Sequence, residues 1–137
     1  MRLWHWMLLS FLPKSQLWLL SQKRECDLIW KDLANGRKTN HILINYIWEY
    51  EDYLKELSVY YWLLKREFNN KGYKFNFSEN FVTKNIYYGD YIPFKNHHNE
   101  RYLMQCYYNL EEKYDRGQKD FDSDTFNKLK RFCGFKE

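Results

Sequence analysis

Apolar side chains recur along this chain three and four residues apart, the spacing of one face of a helix, and nowhere alternate convincingly as in a strand. Over 14–33 the positions Cys26, Ile29, Trp30 and Leu33 carry that rhythm. Pro13 suits the first turn of this helix, where its missing N–H would be unpaired anyway, and Ala34-Asn35-Gly36 predicts its end, with glycine just past the last turn. A longer amphipathic helix is expected over 41–68, where Leu54, Leu57, Tyr61, Leu64 and Phe68 step by three and four; Asn69-Asn70-Lys71-Gly72 closes it. A third is expected over 96–114, with Leu103, Tyr107, Leu110 and Tyr114 on one face and Arg116-Gly117 beyond it. A short helical piece falls at 124–132. Residues 73–95 are aromatic and irregular, with a turn around Gly89-Asp90 and Pro93, and no repeat or low-complexity tract occurs. The expected fold is all-α: a compact single domain, 1–137, of three main helices with irregular aromatic-rich connections.

Composition sharpens this picture in two places. A chain of 137 residues buries a real core without disulfide or metal staples. Its 13 Tyr, 10 Phe and 6 Trp fill that core, although aromatic faces also stack on unpaired bases. The net charge is +4, and all of it sits in residues 1–40: Arg2, Lys14, Lys23, Arg24, Lys31, Arg37 and Lys38 face only Glu25, Asp27 and Asp32. Such a localised positive field suits a polyanion, nucleic acid before an anionic membrane; charge alone is met equally well by a solvated helix face. Cys26, Cys106 and Cys133 lack metal-ligand spacing and read as reduced thiols of a cytoplasmic protein, the first two at apolar helix positions. The opening MRLWHWMLLSFLPK is broken by His5, closed by Pro13, and followed by no small-x-small cleavage site. It is also too short to span a bilayer, so it reads as a buried N-terminal segment rather than a secretion signal.

Candidate chemistry is sparse. There is no glycine-rich phosphate loop and no Cys/His pair with zinc spacing, so neither metal nor cofactor is expected. His97 and His98, being adjacent, diverge on a helix and read as an exposed first turn. Glu25 is a better lead. It lies one turn before Ile29, at the edge of the apolar face, where burial raises a carboxyl pKa and Lys23 and Arg24 would lower it. A carboxylate held there can act as a general base or stabilise a cation; the plain alternative is a surface ion pair with Arg24. The α-amine of Met1 is the second lead. With a pKa of about 8 it is a usable neutral nucleophile, able to form a Schiff base. It gains meaning only beside a carboxylate and a phosphate-binding cation, and Arg2 follows it directly.

Arg2, Gln16-Leu17, Arg24-Glu25, Ala34-Asn35-Gly36, KGYK at 71–74, GDYIP at 89–93 and LEEK at 110–113 occur in an order and spacing that resemble one family. It is the pyrimidine-dimer DNA glycosylase/AP-lyase family of the phage endonuclease V type. MRLWH, REC at 24–26, Asn40-His41 and INYIW at 44–48 resemble a bacterial branch of it. The resemblance implies a monomeric, compact three-helix enzyme without metal or cofactor. It would bind damaged double-stranded DNA, kink it and flip a nucleotide. The terminal α-amine would attack the sugar C1′, with the glutamate of the Arg-Glu pair beside it. In the phage type the initiator methionine is removed and an arginine follows the new terminus. Here bulky Arg2 disfavours removal, so the amine of Met1 is assigned as nucleophile and Glu25 as its catalytic partner. Arg2 and Arg24 would hold phosphates, with Gln16 and Lys113 as secondary contacts. The chain departs from the pattern in two extra residues between Leu17 and Arg24, in Cys26-Asp27-Leu28-Ile29 where a basic residue is expected, at Asn109, and in the tail 122–137. These departures bear on the choice of lesion more than on the type of reaction. Two other readings stand beside it: a non-catalytic nucleic-acid-binding module on the same scaffold, and a peripheral membrane protein using residues 3–12.

Overall fold

A computed structural model describes residues 2–13, 18–81, 90–117 and 121–135. Among these described residues four substantial helices carry the fold: α1 (Leu19–Ala34), α2 (Tyr53–Asn70), α3 (Glu100–Asp115) and α4 (Ser123–Phe132). Short 3-10 helices occupy Trp6–Phe11 and Asn45–Glu49. No strand occurs among the described residues, and the all-α expectation holds. The short piece expected at 124–132 is a full fourth helix. The turn expected at Gly89-Asp90 falls partly outside the described residues.

Helix ends match expectation better than helix starts. Gly36 and Gly72 take left-handed φ values of 75° and 79°, just past α1 and α2, as helix-stopping glycines do. The second helix begins at Tyr53, not 41. Asp52 accepts the Lys55 N–H at 3.1 Å, and this cap sets the start; the stretch before it is turns and a 3-10 helix. The third begins at Glu100, not 96, because Asn99 caps the Tyr102 N–H at 3.0 Å. Just before it, the Phe94 carbonyl takes the N–H groups of both His97 and His98 in a tight turn, with Phe94 at φ 53°. Pro13 does not open α1, which starts at Leu19 after Trp18; residues 14–17 lie outside the described residues.

Trp18, Trp30, Tyr60, Tyr61, Phe94 and Tyr107 are fully buried and fill the centre, with Cys26, Ile29 and Leu64 among them. Cys26 and Cys106 are buried free thiols, as their helix positions predict. Leu3, Trp4, Leu8, Leu9 and Leu12 are buried too, which confirms a buried N-terminal segment. Of residues 3–12 only Met7 and Ser10 are exposed, so the apolar run is spent on the core rather than offered to a membrane. Among the described residues no helix is long and apolar enough to cross one.

Side chains hold residues 2–6 by their backbone. Gln22 Nε2 donates to the Arg2 carbonyl at 2.8 Å, and Gln22 Oε1 accepts from the Trp4 N–H at 3.0 Å. Tyr60 Oη donates to the Trp4 carbonyl at 2.9 Å and lies 2.8 Å from the same Gln22 oxygen. Tyr102 Oη donates to the Leu3 carbonyl at 2.5 Å. The register of the chain's first residues is thus set by α1, α2 and α3 together. Gln22→Leu, which strands the Trp4 N–H and the Arg2 carbonyl, is expected to cost about 3 kcal/mol in denaturant unfolding. An unchanged midpoint would contradict that clamp.

His98 is buried, not part of an exposed turn. Its Nδ1 accepts the Trp6 N–H at 3.2 Å, so in the neutral ring Nε2 carries the proton and donates to Tyr46 Oη at 2.8 Å. Burial pushes the His98 imidazole well below its ordinary pKa of 6.5 and that of His5, stacked on it, down to about 4. A depressed folded-state pKa gives stability that is present above 6.5 and lost as pH falls toward 4. Acidification from pH 6.5 to 4 is therefore expected to weaken the fold, and less so in His98→Gln. Parallel pH profiles of the unfolding midpoint for the two proteins would overturn the assignment.

Candidate active site

Gln22 and Glu25 lie three residues apart on α1 and so share a side of it. Gln22 fixes the backbone of Arg2, and Glu25 Oε2 accepts the Arg2 N–H at 3.1 Å. From α3, Asn109 and Lys113, one turn apart, face the same place. With Trp4 and Ser21 these residues line a polar hollow of about 220 Å³. Two cations lie on aromatic rings at its rim. Lys113 Nζ is 5.3 Å from the ring centres of both Trp4 and Trp18, and the Arg2 guanidinium carbon is 6.0 Å from that of Trp4 and 5.7 Å from that of Tyr102. Cation–π contacts of this length orient long side chains without consuming their hydrogen-bond donors.

Burial raises the Glu25 carboxyl above its ordinary pKa, and the Arg2 N–H and the Lys113 charge pull it back. The core-edge placement read from periodicity is therefore right, but the cation that acts on Glu25 is not its neighbour. Arg24 is exposed and lines a different hollow, with Asp27, Leu28, Lys31 and residues 78–80. Lys23 is bound to Asp27 at 2.7 Å. Successive side chains on a helix diverge by about 100°, which separates Arg24 from Glu25; no ion pair joins them among the described residues. Arg2, Glu25 and Lys113 are thus brought together and Arg24 is not. Met1 and Gln16 lie outside the described residues.

Trp4, Gln22 and Tyr102 are parts of the site that sequence reading missed. Gln22 left a signal: it is a polar residue on the buried stripe 19, 22, 26, 29. The arrangement pairs a partly desolvated carboxylate, fit to move a proton or steady a developing cation, with two cations suited to phosphate oxygens. No cluster of three or more His, Cys, Asp or Glu side chains able to hold a metal ion occurs among the described residues.

A sequence model described as pyrimidine dimer DNA glycosylase matches residues 1–80. The chain belongs to the pyrimidine dimer DNA glycosylase family. No curated protein and no solved structure matches it. As a member of a DNA repair glycosylase family it has DNA as its substrate. The matched stretch holds Arg2, Gln22 and Glu25; Asn109 and Lys113 lie beyond it and complete the hollow of this glycosylase from α3.

Proposed function

We propose that this glycosylase is a monomeric, single-domain enzyme that removes a damaged pyrimidine, a dimer or a related lesion, from duplex DNA and then cuts the strand as an AP lyase, with the α-amine of Met1 as nucleophile. The contact between the Arg2 N–H and Glu25 carries the reading. An α-amine on residue 1 is three bonds from the nitrogen that Glu25 holds, so a nucleophile there works within reach of that carboxylate.

The neutral amine attacks C1′. The C1′–N bond breaks with its electron pair going to the base, which takes up a proton and leaves. Loss of a proton from the new C1′–N linkage and opening of the ring at O4′ give a Schiff base. Removal of a proton from C2′ expels the oxygen at C3′ with its phosphate and cuts the strand; water then frees the amine. Glu25 stabilises the cationic sugar and carries the proton between O4′ and C2′, a task that its raised pKa favours. Arg2 and Arg24 hold phosphates, with Lys113 and Gln16 as further contacts.

The test is a duplex with one pyrimidine dimer and a second duplex with one abasic site. Cleavage at those positions, and not in undamaged DNA, is expected. Salt-dependent binding without product from either duplex would instead identify a non-catalytic DNA-binding module.

A further inference from the structure

We infer that a second hollow, lined by Ile42, Leu43, Arg101, Tyr102 and Gln105, is a further contact for the same duplex, in which Arg101 holds a backbone phosphate and Ile42 lies against the groove. This rests on the function proposed above. The second hollow measures about 340 Å³ and adjoins the first. Tyr102 lines it, and the ring of Tyr102 carries the Arg2 guanidinium at 5.7 Å, so one residue separates the two cavities. Along α3, Arg101 and Gln105 serve the second hollow and Asn109 and Lys113 the first, each four residues from the next. Asn109 Nδ2 donates to the Gln105 carbonyl at 2.9 Å and joins the two halves of that stripe.

Charge and exposure on this stripe suit DNA. Arg101 is exposed and in no ion pair among the described residues. Glu49, the carboxylate that approaches the hollow through His97, is 3.2 Å from His97 Nε2. Ile42 is 85% exposed, the most of the exposed large apolar side chains, as an apolar contact to base edges or sugars needs. From Lys113 to Arg101 the helix rises about 18 Å, which spans about five base steps of a strand. A duplex anchored at Glu25 and laid along α3 therefore meets Arg101 about five steps away.

The experiment measures affinity for undamaged duplex across salt concentrations, with hydroxyl-radical footprints on lesion DNA, for the full chain, Arg101→Ala, Arg101→Glu and, as an exposed α4 control, Lys128→Ala. Arg101→Ala is expected to lower the log–log salt slope by about one and to shorten the footprint at one end while protection at the lesion persists. Arg101→Glu should do more, and Lys128→Ala should match the unaltered chain. A slope and footprint unchanged in both Arg101 variants would overturn the contact. A wild-type chain that binds with this footprint but never cleaves would strike the catalytic reading and leave the contact standing.

Discussion

Glu25→Gln is expected to lose strand cleavage by at least about a hundredfold while binding lesion DNA as tightly as the unaltered protein. The two readouts part because Gln keeps the shape and loses the chemistry. Its amide oxygen still accepts the Arg2 N–H that Glu25 Oε2 takes at 3.1 Å, so the N-terminal segment stays in register. The cations Arg2 and Lys113, which line the same hollow, are untouched. What is lost, on the proposed mechanism, is the negative charge opposite the sugar cation and the group that carries a proton. A folding defect does not imitate this result. Burial raises the Glu25 pKa above 4.5, so the folded state binds its proton more readily than the unfolded chain does, and ionising Glu25 weakens the fold as pH rises from 4.5 upward. Gln removes that cost, and the variant should melt no lower than the unaltered chain at neutral pH. Single-turnover cleavage and mobility-shift binding on one substrate check the split; normal cleavage by Glu25→Gln would remove Glu25 from the mechanism.

Blocking the α-amine is expected to have the larger effect. Acetylation of Met1, or a short N-terminal extension that leaves no free amine there, should abolish both base removal and strand cleavage while duplex binding persists. Lys113, on the rim of the same hollow, is the amine best placed to substitute. Lys113 Nζ is held 5.3 Å from the ring centres of both Trp4 and Trp18, so rescue by Lys113 should be negligible. Strand cleavage that survives the block at full rate would place the nucleophile elsewhere.

The parts of this molecule that were legible in its sequence are those set by local rules. The apolar stripe of α2, the glycines after α1 and α2, and the core-edge position of Glu25 follow from three-and-four spacing and backbone freedom. The starts of α2 and α3 fall later than the apolar pattern alone suggests, because Asp52 and Asn99 cap the helices there. The burial of His98 is not legible locally, because a histidine held by Trp6 and Tyr46 is defined by partners 92 and 52 residues away. The same holds for the site. Glu25 could be suspected from its place on α1, but its working neighbours, the Arg2 N–H and Lys113, arrive by tertiary folding, while adjacent Arg24 turns away. Gln22 and Tyr102, which hold the first residues in place, act across 20 and 99 residues and leave no local pattern beyond one polar residue in an apolar stripe.

Borohydride trapping on duplex DNA with an abasic site or a dimer tests the Schiff base most directly, with the adduct mapped by mass spectrometry. The predicted result is a stable protein–DNA adduct on the α-nitrogen of Met1, absent when that amine is acetylated. No adduct from a protein that binds the duplex, or an adduct mapped to Lys113 or any other lysine, would contradict it.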